Sequence, residues 1–163
     1  MLIKRYLLKE LFAAMKTCFF IGHRDAPENL LPSIVSEVER HITVYGAEDF
    51  VVGGYGKFDS LAAQAVIHIK KSHPTVTLFR LLAYHPSERI VPELPGFDGS
   101  FYPEGMERVP RRAAIVRANQ YMINRSAYLI AYVCHPSSGA RNLLEYAARR
   151  EKRGLIRITN LAL

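Results

Sequence analysis

The chain has 163 residues, of which 49% are hydrophobic and 23% are charged. This length suits one domain, and this composition excludes an intrinsically disordered or fibrous protein. Two cysteines are too few for a disulfide framework, and no uncharged stretch approaches the ~18 apolar residues of a membrane span. The formal net charge of +7 permits nucleic acid, phosphate-bearing ligands or anionic surfaces as partners.

The first 14 residues are predicted to form an amphipathic helical extension, and residues 15–163 are predicted to form the domain. Ile3, Leu7 and Leu11 recur every four residues, which is the spacing of one helix face. Charged residues interrupt the apolar run, unlike the core of a signal peptide. The extension could dock on the domain, on a second copy to form a homo-oligomer, or on a membrane surface. Alternatively, the native chain starts at Met15.

After residue 16, short apolar runs alternate with helical patterns. The predicted strands are Thr17–Ile21, Phe50–Val52, Val76–Tyr84, Ala127–Val133 and Leu155–Ile158. The predicted helices are Leu31–Ile42, Ser60–Lys71, Arg111–Ile123 and Gly139–Arg150. Asn29 is the expected N-cap of the first of these helices. The stretch His85–Pro110, rich in proline and glycine, is predicted to be a long loop, and such loops often carry function.

The alternation of strands and helices predicts an α/β protein. The strands are apolar on both faces, as in a parallel sheet that helices cover on both sides. We therefore expect a single-domain, three-layer fold with a mostly parallel sheet of about five strands flanked by helices. In such sheets ligands bind beyond the carboxyl ends of the strands, so the segments that follow the strands form the candidate site.

Glycines follow the second predicted strand, in Gly53-Gly54-Tyr55-Gly56, and a helix follows them. Such glycines let the backbone approach a ligand closely, and the free N–H groups of a helix N-terminus bind phosphate. The segment matches neither GxGxxG nor a P-loop, and a tight turn without a ligand gives the same pattern. Ser137-Ser138-Gly139 precedes the last helix in the same way, although Ser138 could serve only as its N-cap. Two such loops at one sheet edge could hold two parts of a nucleotide.

The carboxyl-terminal third is strongly basic. From Arg108 to Arg157 there are eleven lysines and arginines and only two acids, Glu145 and Glu151. Arg111 and Arg112 are candidate phosphate ligands because a guanidinium group donates two hydrogen bonds at once. A solvated basic face without a ligand would give the same composition.

Histidines and cysteines are weaker candidates for chemistry. His23, His85 and His135 each follow a strand, but we expect the third strand at an edge of the sheet, away from the other two. No HxxxH or CxxC spacing is present, so the sequence predicts no metal site. Cys18 and Cys134 are predicted to lie about 16 Å apart along the sheet, too far for a disulfide. Nothing near Cys134 in the sequence identifies it as a nucleophile.

In order and spacing, the segments at the strand ends resemble the SLOG superfamily, and most of all its YpsA-like branch. The matching segments are Cys18–Arg24, Gly53–Asp59, Arg112, Asn119, Tyr121–Met122, Asn124–Ser126, Ser138–Asn142 and Tyr146–Ala147. The resemblance covers about residues 15–155 and implies a Rossmann-like fold with a nucleotide-derived ligand at the strand ends. The superfamily also includes the DNA-uptake protein DprA and the LOG phosphoribohydrolases, which cleave a nucleoside monophosphate to a base and ribose phosphate.

The loops and the resemblance together indicate one set of ligand-binding residues. They are Gly22, His23, Arg24, Gly53, Gly54, Tyr55, Gly56, Phe58, Asp59, Arg111, Arg112, Asn119, Ser137, Ser138, Gly139, Arg141 and Asn142. LOG enzymes use an arginine before a PGGxGTxxE loop and a glutamate within it. Arg111 or Arg112 could match that arginine, but residues 136–142 lack the second and third glycines and the threonine. Glu145 lies about one residue off register, and Asp59 is the other acid that could act as a base or bind ribose hydroxyls.

Three functions remain open on this basis. The favoured one is a cytoplasmic nucleotide or nucleotide-derivative binding protein with a sensor or regulatory role. It would require no cofactor and would take AMP, ADP-ribose or an NAD-like ligand. The first alternative is a nucleotide N-glycosidic hydrolase of the LOG type, with Glu145 or Asp59 as its acid. The second is DprA-like binding of single-stranded nucleic acid, which the net charge allows.

Overall fold

The computed structural model describes residues 16–92 and 94–163. The predicted helical extension, residues 1–14, lies outside the described residues. The strands are β1 (Thr17–Gly22), β2 (Asp49–Val52), β3 (Thr77–Leu81), β4 (Gly99–Phe101), β5 (Tyr128–Tyr132) and β6 (Arg157–Asn160). The helices are α1 (Leu31–Thr43), α2 (Lys57–Lys70), α3 (Ala114–Asn124) and α4 (Gly139–Glu151).

The strands form one parallel sheet with the order β4-β3-β2-β1-β5-β6. β1 is an inner strand, and its Phe19 pairs with Val51 of β2 on one side and Leu129 of β5 on the other. The predicted α/β class is therefore confirmed. Parallel strands require crossover connections, and helices provide them except between β3 and β4, which follow each other with no helix among the described residues.

β4 is the strand that the sequence did not predict. It lies inside the stretch predicted as a loop, His85–Pro110, and pairs with β3 through Phe79↔Gly99 and Leu81↔Phe101. It is three residues long and includes a glycine and a serine, so no apolar run or alternation reveals it. The sheet consequently has six strands among the described residues. β3 is one strand in from the edge, which corrects the expected position of the third strand.

Two hydrophobic layers hold the helices against the sheet. Phe20 packs with Ile34 of α1 and Phe58 of α2 on one face. Phe19 packs with Met122 of α3, and with residues of α4, on the other face. Burial of each such side chain contributes roughly 1.5–3 kcal/mol, which explains why the strands are apolar on both sides.

The helix starts differ from the prediction in three respects. α3 begins at Ala114 instead of Arg111, because Arg111–Ala113 form a 3-10 turn that leads into it. Asn29 is not an N-cap: it lies inside a short 3-10 turn (Glu28–Leu30), and α1 begins after Leu30 without a side-chain cap. α2 begins directly after Gly56, three residues earlier than predicted, so the glycine loop leads straight into the helix. Within the described residues, no helix combines the length and the apolar character needed to cross a membrane.

Candidate functional site

The candidate site lies at the carboxyl edge of the sheet, around the end of β1. The chain leaves β1 through α1, on one face of the sheet, to reach β2. It enters β5 from α3, which lies on the other face. The connections therefore diverge between β1 and β5, the position at which open α/β sheets form a ligand crevice. The segments after β1, β2 and β5 meet there.

Hydrogen bonds within the protein close the glycine loop after β2. The backbone N–H of Tyr55 donates to the Asp59 carboxylate at 3.1 Å. At the start of α2, the N–H of Lys57 donates to the Arg24 carbonyl at 3.0 Å, and the N–H of Phe58 donates to the His23 carbonyl at 3.4 Å. These are the amides of a helix N-terminus that a phosphate would otherwise approach. This loop therefore braces the β1 segment against α2.

Close packing explains why two of the predicted site positions, 22 and 54, are glycines. A Cβ atom on Gly22 would lie 2.2 Å from the ring of Phe58, and one on Gly54 would lie 2.3 Å from a guanidinium nitrogen of Arg80. Phe58 is fully buried and its ring stacks on Tyr132, with 6.3 Å between the ring centroids. Gly22 and Phe58 therefore shape the floor of the site rather than offer groups to a ligand.

Arg80 is the site residue that the sequence reasoning missed. It lies on β3 beside Val52, and its guanidinium group packs over Gly54. A single charged residue in an apolar strand was the signal that could have identified it. Burial raises the pKa of Asp59 to about 6, against the opposing effects of the Tyr55 N–H and of the Arg80 and Arg24 charges. Asp59 therefore titrates close to neutral pH.

His23 connects the two halves of the sheet edge. Its imidazole is 5% exposed, and Nε2 accepts the N–H groups of Cys134 at 2.9 Å and His135 at 3.2 Å. Two amide donors at Nε2 require a neutral ring with its proton on Nδ1. Burial lowers the pKa of His23, and the charge of nearby His135 lowers it further. The neutral ring therefore ties the β1 segment to the β5 segment.

The start of α4 is the open part of this edge. Ser138 is the N-cap, since its Oγ accepts the N–H of Arg141 at 3.0 Å. Within the part of the chain that the structure describes, the N–H groups of Gly139 and Ala140 have no hydrogen-bond partner. A Cβ atom on Gly139 would meet nothing within 4 Å, so the space before it is open. Arg141 lies across this turn, with its Nε donating to the His135 carbonyl at 3.1 Å.

The remaining predicted residues take different positions. The exposed side chains at the site are Arg24, Ser137 and Asn142. Arg111 lies farther along the edge, 3.5 Å from the Glu88 carboxylate and 5.7 Å from the ring centroid of Tyr84. Tyr84 contacts Tyr55 edge-on, so one ring separates Arg111 from the glycine loop. Arg112 is exposed beside it.

Among the described residues, no contact directs Asn119 or Glu145 at the crevice. The Asn119 side chain donates to the Ile115 carbonyl at 2.8 Å, within its own helix. Glu145 is exposed on α4, about 9 Å along the axis from the helix start at 1.5 Å per residue. The two candidate acids are therefore separated: Asp59 lies under the glycine loop, and Glu145 faces solvent.

An open cleft of about 600 Å³ lies at the opposite edge, near the starts of β5 and β6. Its charged groups are held by intramolecular contacts. The Glu151 carboxylate accepts the N–H of Ile158 at 2.6 Å, and the Arg157 guanidinium lies 4.8 Å from the ring centroid of Tyr45. We place the candidate site at the carboxyl edge instead, because unpartnered backbone donors and arginines share one space there.

The comparison with known structures supports this architecture. The chain is similar to DNA processing protein A (DprA) from Helicobacter pylori, whose structure was determined to show its single-stranded DNA binding mode. The TM-score is 0.52 at 15% sequence identity, with 91% of this chain and 77% of that chain covered. The chain has a Rossmann-like α/β fold. At this identity the likeness establishes the fold alone, and no family model and no curated protein matches the sequence.

Proposed function

We propose that this chain binds a nucleotide or nucleotide derivative at the carboxyl edge, with a phosphate group at the start of α4. The observation that carries the proposal is the open helix end, where the Gly139 and Ala140 amides have no partner among the described residues. A helix N-terminus carries a partial positive charge that favours phosphate. Arg141 adds a full charge at the same turn.

The rest of the ligand would extend over β1 toward the glycine loop. Arg24 is exposed there, and so is Gly54, which lies against the Arg80 guanidinium. The resemblance to the SLOG superfamily and its YpsA-like branch supports a nucleotide-derived ligand, and membership of that branch is part of this proposal. AMP, ADP-ribose and NAD are the ligands to test.

We favour binding over hydrolysis because neither acid is set up for catalysis. Glu145 lies on the exposed face of α4, and one oxygen of Asp59 already accepts the Tyr55 N–H. A general acid or base must reach the reacting bond within hydrogen-bond distance. The proposed role is therefore that of a ligand sensor.

The test is a thermal-shift panel with AMP, ADP-ribose, NAD and adenosine, each incubation being checked for breakdown products. At about 100 times the dissociation constant, a ligand adds about 2.7 kcal/mol of stability, which is readily measured. AMP should stabilise the protein and adenosine should not, because only AMP carries the phosphate. No shift with any phosphorylated ligand would contradict the proposal.

The variant Gly139→Asp tests the proposed position of the phosphate, and Gly139→Asn is its uncharged control. An aspartate in the first turn favours the helix but places a negative charge where the phosphate would bind. The aspartate variant should fold and lose its response to AMP, whereas the asparagine variant should keep most of it. Equal responses to AMP in the two variants would contradict the proposal that the phosphate binds at the start of α4.

A second candidate function is binding of single-stranded nucleic acid. The specific observation is the fold shared with DNA processing protein A, whose single-stranded DNA binding is described, together with the net charge of +7. Binding of a labelled oligonucleotide should then weaken steeply with salt. It should also depend less on Gly139→Asp than AMP binding does, because a strand contacts many basic groups.

A further inference from the structure

Side chains of three residues, of types that bind metal ions in proteins, lie together beside the start of α4. One nitrogen of His23, the sulfur of Cys134 and one nitrogen of His135 lie within 4.8 Å of one another. The Nε2 atom of His135 also lies 3.8 Å from a carboxylate oxygen of Asp25. His23 is buried, whereas the other three residues are exposed. Two exposed side chains, Cys134 and His135, therefore lie beside one fixed imidazole, and Asp25 lies beside His135.

We propose that this cluster, formed by His23, Cys134, His135 and Asp25, binds one divalent transition-metal ion, with Zn²⁺ as the favoured metal. Imidazole, thiolate and carboxylate are the ligand types that zinc takes in proteins. One thiolate and one carboxylate also balance the two positive charges of the ion. A metal site here is distinct from the proposed phosphate position, which depends on the amides of Gly139 and Ala140.

The geometry requires only a small closure. Zn–N bonds of about 2.0–2.1 Å and Zn–S bonds of about 2.3 Å place the ligand atoms of a tetrahedral site about 3.3–3.8 Å apart. The donor atoms of His23, Cys134 and His135, which lie within 4.8 Å of one another, must therefore approach by about 1 Å. The exposed Asp25 carboxylate, which lies 3.8 Å from Nε2 of His135, must turn toward the ion to become the fourth ligand. Rotation of the exposed Cys134 and His135 side chains, together with a shift of the segment that carries them, provides this movement without changing the core.

The hydrogen bonds of His23 determine which part of the protein must move when the ion binds. Its Nε2 lone pair points at the backbone of Cys134 and His135, the segment that carries two of the other donors. The ring is neutral, which is the state a metal ligand requires. Coordination through Nε2 replaces two amide hydrogen bonds with one metal bond, so the segment after β5 must shift when the ion binds. The thiol of Cys134 loses its proton to solvent in the same step.

Three histidines follow strands in the sequence, but their spacing predicts no metal site. His85 indeed stays apart, because its Nδ1 lies 2.7 Å from the Ser87 hydroxyl and its ring contacts Tyr102 edge-on. His23 and His135 nevertheless meet, with 4.2 Å between their ring centroids. Cys134, which lies next to His135 in the chain, completes the cluster that no spacing motif describes.

The test uses tag-free, chelator-treated protein without nucleotide, titrated with Co²⁺ and then with Zn²⁺. The cobalt spectrum reports thiolate ligation through a charge-transfer band and tetrahedral geometry through its visible bands. We expect one equivalent per chain, release of about one proton, and displacement of cobalt by zinc. Cys134→Ser should abolish the charge-transfer band while Cys18, the buried thiol, is still present.

His135→Gln and Asp25→Asn should weaken cobalt binding by at least about tenfold, the loss seen when even an outer partner of a metal ligand is removed. His85→Gln is the matched control, since it removes an exposed histidine from the same sheet edge. Circular dichroism of each variant confirms folding before titration. A missing charge-transfer band, a band that survives Cys134→Ser, or equal weakening by His85→Gln and His135→Gln would overturn the proposal. Because no nucleotide is present, none of these outcomes depends on the proposed function.

Discussion

Replacing Asp59 with asparagine tests the electrostatics under the glycine loop. The pKa of Asp59 rises from 3.8 to about 6 on folding, chiefly because the carboxyl group is buried. Below pH 3.8 the group is protonated in both the folded and the unfolded chain. Between 3.8 and about 6 the folded chain holds this proton more tightly. Asp59 therefore contributes stability at low pH that is lost as the pH rises through about 6.

The size of the effect follows from the pKa difference. A difference of about two units corresponds to at most about 3 kcal/mol, at roughly 1.4 kcal/mol per unit. Although the carboxyl group lies under the glycine loop, the Asp59 residue as a whole is only half-buried, so solvent screening makes this an upper limit. Asparagine retains an oxygen that can accept the Tyr55 N–H but does not titrate. Relative to Asp59→Asn, the parent protein should thus lose up to about 3 kcal/mol between pH 4 and pH 7.

The assay is urea unfolding of both proteins from pH 4 to pH 7 at constant ionic strength. Subtracting the two unfolding free energies removes the contributions of the other titrating groups. Arg80→Gln should move the pH dependence of the difference to higher pH, because it removes a positive charge that lowers the pKa of Asp59. A difference that stays constant across this pH range would refute the reasoning.

Three further predictions concern packing, capping and ligand access. Phe58→Ala should lower the free energy of unfolding by about 3–5 kcal/mol in urea titrations, because the ring is fully buried; a loss below about 1 kcal/mol would contradict its place in the core. Ser138→Ala should cost about 1 kcal/mol in the same assay, since it removes the N-cap acceptor, and Ser137→Ala should cost nothing measurable. Gly54→Val should displace the Arg80 guanidinium and abolish the AMP-induced thermal shift, and an unchanged shift in a folded variant would place the ligand elsewhere.

The fold could be predicted because its signals are local. Within the described residues, every predicted strand and helix overlaps an element of the structure, since strands that are apolar on both faces stand out between amphipathic helices. β4 could not be predicted, because a three-residue strand gains its stability from pairing with β3 and leaves no pattern of its own. Strand order likewise depends on tertiary contacts, which the sequence pattern does not show. The prediction that the third strand lies at the edge of the sheet was therefore wrong.

In the candidate site, too, local features could be predicted from the sequence, whereas contacts between distant segments could not. Ser138 caps α4 through a bond within one helical turn, and local spacing is sufficient to expect it. The bond from the Lys57 amide to the Arg24 carbonyl joins segments that follow different strands, and sequence spacing does not reveal it. From the sequence, the glycine loop was therefore the better candidate for a phosphate site. In the structure, its Tyr55, Lys57 and Phe58 amides already donate to acceptors within the protein.

This difference between the two helix starts follows from the sheet order. α2 begins against the β1 segment, whose His23 and Arg24 carbonyls take its first amides. The β1 segment contributes a side chain, not a carbonyl, to the β5 segment: the His23 imidazole accepts the amides of Cys134 and His135. The amides of Gly139 and Ala140 at the start of α4, a few residues later, have no partner among the described residues, and they are the donors that we propose for a phosphate. Besides the direct pairing of β1 with β5 in the sheet, the neutral His23 imidazole is thus the side chain that joins the segments that follow these two strands.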